Sequence, residues 1–288
     1  MGGLREVRSL TGRGLVVNDT RLSAELPFLS VTGATERRER LKAVYEEARE
    51  CVRCPLHQTR TTVVFGCGNA DADLMFVGEA PGANEDRLGL PFVGQAGKLL
   101  DKLLGEIGLR REDVFIANTL KCRPPGNRDP HPNEIESCQS YLRSQVELIE
   151  PKVICTLGNF ATKLLRGDTT GISRLHGQEE VRVIGVRAVR LYPLYHPAAA
   201  LYTPSTLEML RSDFSRIPEL LAVGAPEQPD LPHRGEDGSR SPAPPQQPPH
   251  ALQPPAAREL EREVQGSPWR DRTAVGADPD PAPQLGLF

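Results

Sequence analysis

Residues 73–86 read DLMFVGEAPGANED: a short apolar run, a glycine, and then a loop dense in acidic side chains. An apolar run closed by glycine is the pattern of a buried strand, so residues 73–77 are expected to form one that ends at Gly78. Downstream, Leu99, Leu100, Leu103, Leu104 and Ile107 recur at helical spacing, and Gly108 supplies the stop. Residues 114–117 make a second apolar strand that runs into Asn118. Pro132 fits the first turn of a helix through Cys138 toward Ile149, because its missing N–H costs nothing there, and Pro151 bars continuation. A third strand follows at 153–157, then a helix at 159–165, strands near 181–184 and 189–195, and a last helix over 205–221. Upstream, Leu41, Val44, Ala48 and Val52 mark a helix that delivers the chain to Cys51.

Strands alternating with helices predict a three-layer α/β/α domain around a largely parallel sheet. In such sheets ligands bind beyond the carboxyl ends of the strands. Residues 78–86, Asn118 and His196 each follow an apolar strand directly, so all three are expected at one edge of the sheet.

Four of the six cysteines are spaced as Cys51-x-x-Cys54 and Cys122-x15-Cys138. Thiolates two residues apart can grip one metal centre from a single turn of chain, and a distant pair can complete a four-sulfur site. Zinc sites usually carry a second C-x-x-C, so the long second gap tilts the reading toward an iron-sulfur cluster. Cys67 and Cys155 lie in apolar surroundings and read as buried free thiols.

Composition divides the chain in three. Residues 225–288 hold 14 of the 27 prolines and few aliphatic side chains, too little apolar surface to offset the entropy of ordering. This segment reads as a disordered proline-rich tail. Residues 1–36 lack a long periodic pattern and read as a poorly ordered extension, which leaves 37–224 as the folded domain. That domain carries 25 Lys and Arg against 24 Asp and Glu, so contact with an acidic polymer must rest on local clusters such as Lys121, Arg123 and Arg128. No run is long and apolar enough for a membrane span, and no signal pattern opens the chain, so a cytoplasmic, nucleoid-associated monomer is expected.

Four stretches together carry a resemblance: GEAPGANED at 78–86, GLPFVGQAG at 89–97, ANTLKCRPPGNRDP at 117–130 and YHPAAAL at 195–201. In this order, with the four cysteines, they resemble the family 4 uracil-DNA glycosylases, which carry a 4Fe-4S cluster. The resemblance implies a uracil-DNA glycosylase-like fold and removal of uracil from DNA by N-glycosidic hydrolysis, with Cys51, Cys54, Cys122 and Cys138 as cluster ligands. It implies Phe92 as the platform for the extruded base, although a Phe between Pro91 and Val93 also suits plain core packing. It implies Asn118 as the reader, pairing with uracil N3–H and O4, although an Asn after a strand also commonly turns the chain. It implies His196 as the donor to negative charge developing on uracil O2.

The carboxylates are less determined. Where the related family 1 enzymes hold the attacking water with an aspartate, this chain has Ala80. Glu79 is assigned to the water and Glu85 to the shape of the pocket; Gly78 and Gly82 line the substrate, and N–H groups near Gly82 offer a phosphate site. The chain ends Gln284-Leu285-Gly286-Leu287-Phe288, which resembles the peptide by which bacterial repair proteins hold the DNA sliding clamp. Two other readings stay open: a non-catalytic iron-sulfur protein that binds DNA or senses redox state, and the family's abasic-site cross-linking relative, for which His131 is the residue to check.

Overall fold

The computed structural model describes residues 26–229, and of residues 26–32 the backbone only. Six strands form one sheet: β1 (Cys67–Gly68), β2 (Leu74–Gly78), β3 (Phe115–Asn118), β4 (Val153–Leu157), β5 (Glu180–Ile184) and β6 (Arg187–Leu194), in the order β1-β3-β2-β4-β6-β5. β3, β2, β4 and β6 run parallel, with β1 and β5 antiparallel at the two edges. The largely parallel α/β sheet predicted above is therefore present.

Alternation along the strands sorts the core into two layers. On β2, Met75 and Val77 face a cluster with Leu41, Tyr45, Leu142 and Val146 from the helices α1 (Leu26–Arg49) and α4 (Pro132–Ile149). Leu74 and Phe76 face the other way, against Leu100, Leu103, Leu210 and Phe214 from α3 (Gln95–Glu106) and α8 (Pro204–Ser215). A strand covered on both faces has no polar side to display, which is why β2 and β4 read as unbroken apolar runs.

Several expectations need adjustment. The helix α1 is described from Leu26, so the boundary expected at 37 falls inside it, and it ends at Arg49. Val52 lies past that end and is 67% exposed, so it does not belong to the buried stripe. The single helix expected over 205–221 is two, α8 and α9 (Ile217–Ala222), because Pro218 lacks the N–H that would continue the first. Four short elements carried no signal long enough to read: β1, α2 (Ala83–Leu88), α6 (Ile172–Leu175) and α7 (Pro197–Ala200). The helix α5 (Asn159–Arg166) falls where expected.

β2 is where the strand order reverses: the chain moves from it to β3 on one side and later to β4 on the other. The crevice at such a switch point opens beyond the strand's carboxyl end. Gly78 and Glu79 stand there.

Candidate active site and four-thiol pocket

Gly78 and Asn118 are partners across the ends of β2 and β3. A Cβ on Gly78 would stand 2.5 Å from Asn118 Oδ1 and 2.7 Å from Phe92 Cζ, so only a residue without a side chain lets the amide and the ring meet here. The Phe92 ring in turn stacks on His196, with centroids 5.6 Å apart and planes 27° apart. His196 Cβ lies 3.1 Å from where a Gly158 Cβ would be, just beyond β4. Phe92, Asn118 and His196, widely separated in sequence, thus meet at one edge of the sheet.

Phe92 is held there against its own preference. Its φ of 53° is left-handed, which for a bulky residue costs about 1–3 kcal/mol. Arg111 supplies the restraint: Nη1 donates to the Pro91 carbonyl at 2.8 Å, Nη2 to the Phe92 carbonyl at 2.5 Å, and Nε to Asp101 at 2.9 Å. From the other side Glu85 Oε1 accepts the N–H groups of Val93 and Gly94 at 2.9 and 3.0 Å. Glu85 is thus engaged with the Phe92 loop, and its Oε2 also lies 2.7 Å from where a Gly82 Cβ would be. Asp86, buried on the six-residue α2, accepts the Thr61 N–H with both oxygens. Sequence reasoning missed Arg111 and left Asp86 without a role, since neither stands beside the segment it holds.

Glu79 is fixed by its backbone. Its carbonyl accepts the Leu120 N–H at 3.0 Å and the Thr119 hydroxyl, which continues the β2–β3 pairing past the strand ends. Burial, with a smaller contribution from the charge of Asp129, raises its carboxyl from 4.5 to about 7. Burial acts oppositely on His196, lowering it from 6.5 to about 4 despite the nearby Glu85. The ring is therefore neutral at pH 7. Its Nδ1 accepts the Ala198 N–H at 3.1 Å, so the single proton is assigned to Nε2, which makes Nε2–H a neutral donor.

The four cysteines line one pocket with Arg53, Arg60, Lys121 and Tyr141. Cys51 and Cys54 follow α1, Cys122 follows β3, and Cys138 lies on α4. The Lys121 N–H points at Cys138 Sγ at 3.3 Å and Arg60 Nη1 at Cys122 Sγ at 3.4 Å. Three cations and no carboxylate in the wall suit an occupant of net negative charge, as a thiolate-ligated cluster is, and N–H groups aimed at sulfur are how proteins tune one. Among the described residues no three His, Cys, Asp or Glu side chains are grouped to hold a single metal ion.

Other expectations fare differently. Lys121 is 1% exposed, and so cannot join the surface cluster assigned to it. Arg128 is paired with the buried Glu134, at 2.6 Å, and Arg123 bonds Asn127 at 2.7 Å. His131 is exposed at the start of α4, its N–H bonded to Glu134. Cys67 and Cys155 are buried free thiols, at 4% and 0% exposure. The peptide Gln284, Leu285, Leu287 and Phe288 lies outside the described residues.

The chain is similar to proteins of known family. The model of the uracil DNA glycosylase superfamily matches residues 65–217. The chain is 49% identical over 193 residues to a type-4 uracil-DNA glycosylase of Archaeoglobus fulgidus, an alignment covering 65% of this chain and 96% of the relative. It is 47% identical over 185 residues to the type-4 enzyme of Sulfurisphaera tokodaii, covering 62% and 84%, and 46% identical over 189 residues to that of Saccharolobus solfataricus, covering 64% and 88%. A family model that matches more than half of the chain, and a relative matched over nearly its whole length, leave one assignment: the chain belongs to the uracil-DNA glycosylase superfamily, in its type-4 family.

Proposed function

We propose that this protein removes uracil from DNA by hydrolysing the N-glycosidic bond, leaving an abasic site and an uncut strand. The observation that carries the reading is the meeting of Phe92, Asn118 and His196 around Gly78. A base inside a duplex must leave the stack before its glycosidic bond can be reached, at a cost of a few kcal/mol. Phe92, pre-set by Arg111 and Glu85, offers the extruded base a rigid aromatic face. The Asn118 carboxamide accepts from uracil N3–H and donates to O4; cytosine presents the opposite pattern at that edge and is refused. As the C1′–N1 bond breaks, its electron pair passes to the uracil ring, and the neutral His196 Nε2–H donates to the growing charge on O2. A preorganised donor of that kind is worth about 3 kcal/mol.

Water completes the reaction: its oxygen bonds to C1′ and its proton passes to Glu79, while the uracil anion takes up a proton from solvent as it leaves. Glu79, near 7, is matched to that task at neutral pH. Cys51, Cys54, Cys122 and Cys138 would hold a 4Fe-4S cluster, which when bound ties α1, the segment after β3 and α4 together without redox work. DNA is the partner, and a sliding clamp held through Gln284, Leu285, Leu287 and Phe288 is a second. The side chain of Gln228 bonds both the N–H and the carbonyl of Ala188, at 3.1 and 3.0 Å, at the start of β6. Gln228 thus lies roughly 20 Å along that strand from the cleft, at about 3.3 Å per residue. Among the described residues no helix is long and apolar enough to cross a membrane.

The test is timed release of free uracil from single- and double-stranded oligonucleotides. Free base with strand breakage only after alkali is expected, and a chain truncated before Gln284 should keep that activity while no longer co-eluting with a clamp. Uracil left in the DNA would overturn the enzymatic reading.

A further inference from the structure

Lys121 stands directly before Cys122 and three residues after Asn118, and its burial is the feature that the chemistry above leaves unused. Its Nζ donates to the Asn118 carbonyl at 2.8 Å and to Gln145 Oε1 at 2.6 Å. Gln145 is itself 0% exposed and is oriented by donating to the Phe65 carbonyl at 2.9 Å. The Phe65 ring lies 5.7 Å from Nζ on another side. The backbone of Lys121 is fixed as well, its carbonyl accepting the Val64 N–H at 2.8 Å and its N–H reaching Cys138 Sγ.

An ammonium group taken out of water needs a countercharge. Among the described residues no carboxylate stands within ion-pair distance of Nζ, and the groups that would supply negative charge beside it are Cys138 and Cys122. A methionine would fill nearly the same space without carrying a charge into the core. The cation gains a countercharge only if something anionic occupies the thiol pocket, whose wall Lys121 helps to form.

We infer that Lys121 is a positioning residue that couples the thiol pocket to the base-reading amide. Negative charge on a thiolate-bound cluster holds the ammonium in place. The ammonium holds the Asn118 carbonyl, and with it the direction in which the Asn118 carboxamide points into the cleft. The inference rests on the cluster reading of the four cysteines given above. It adds a consequence that a merely bracing cluster does not have: loss of the cluster would misdirect Asn118 through this one side chain, even where the fold survives.

The test uses the full chain purified without oxygen, as wild type, Lys121→Met and Gln145→Glu. Three quantities are read: the cluster's midpoint potential, the half-life of its visible absorbance under a chelator, and kcat and KM for uracil release from a single-stranded oligonucleotide. Lys121→Met should lower the potential, because a cation beside the cluster is gone, shorten the half-life at least fivefold, and lower kcat at least tenfold with KM within threefold. Gln145→Glu gives the ammonium a partner that competes with the cluster, so it should also lower the potential while kcat stays within threefold. A Lys121→Met protein with wild-type potential, or with kcat within twofold of wild type, would overturn the coupling. Should Lys121→Met not fold, Gln145→Glu decides, and an unmoved potential sinks the idea. Wild-type protein purified without iron and sulfide would overturn the cluster reading itself, which is a separate failure.

Discussion

The cleft and the thiol pocket handle charge in opposite ways. In the cleft burial suppresses charge: His196 is held neutral by a lowering to about 4, and Glu79 is brought to about 7. In the pocket charge is gathered, with Arg53, Arg60 and Lys121 facing four thiols. A site that must stabilise charge only as a bond breaks gains by being electrically quiet beforehand, because a full charge would be solvated or paired before the substrate arrived. A site that hosts a permanent anion gains by presenting cations at all times. The two centres lie on either side of residues 118–122, so this five-residue segment separates a quiet environment from a charged one.

The largest effect should come from removing the quiet donor. His196→Ala deletes the Nε2–H and leaves the Asn118–Gly78–Phe92 contacts in place, so kcat should fall about 10²- to 10³-fold with little change in KM, as loss of one preorganised donor does. Single-turnover uracil release measures it. A loss confined to KM would mean that His196 binds the base without acting on the transition state.

Next is the pH dependence. Activity that needs Glu79 ionised should rise with pH through an apparent value of about 7, with no limb near 6.5 from His196, which stays neutral down to about 4. Glu79→Gln should lower kcat about 10²-fold and abolish the rise. Stability responds in the same window. Between 4.5 and about 7 the native Glu79 keeps a proton that the unfolded chain has released, so its stabilisation is complete below 4.5 and is lost as pH rises through 7. His196 works the other way: below 6.5 the unfolded chain takes up a proton that the native ring refuses until about 4, so stability is lost as pH falls. The two offset each other in the wild type. Glu79→Gln should therefore expose a loss of stability on acidification from 6.5 that denaturant titration can follow; a flat profile in that variant would contradict the neutral histidine.

Much of this was legible because the strands announce themselves. Residues 74–78 and 153–157 are covered on both faces and read as apolar runs, and the residue after a parallel strand is bound to lie at the ligand edge, so Gly78, Asn118 and His196 could be placed together. What stayed hidden is long-range. Arg111 sits 19 residues from the carbonyl of Phe92 that it holds, in a charged turn that looks like any surface loop. Lys121 was read as a surface cation because lysine usually is one, and nothing local says that Phe65 and Gln145 close over it. The C-x-x-C spacing named the ligand type, yet only the fold brings Cys122 and Cys138 to the same pocket. The break between α8 and α9 falls at Pro218, inside the span expected as one helix.

The smallest effect is the one that best separates the two centres. Arg60 ties the pocket to the end of α1: Nη1 bonds the Cys51 carbonyl at 2.7 Å and Cys122 Sγ at 3.4 Å, and Nη2 bonds the Arg49 carbonyl at 3.3 Å. Lysine at this position would keep the positive charge and lose the fork whose two nitrogens hold both carbonyls and the sulfur at once. Arg60→Lys should therefore shorten the cluster's half-life under a chelator by about threefold, since one hydrogen bond to a charged group is weakened rather than a ligand removed. Its kcat should match the wild type, because Lys121 and not Arg60 touches the Asn118 carbonyl. If kcat fell in step with cluster lifetime, the pocket would be acting on the cleft as a whole wall, and the division between a charged centre and a quiet one would have to be given up.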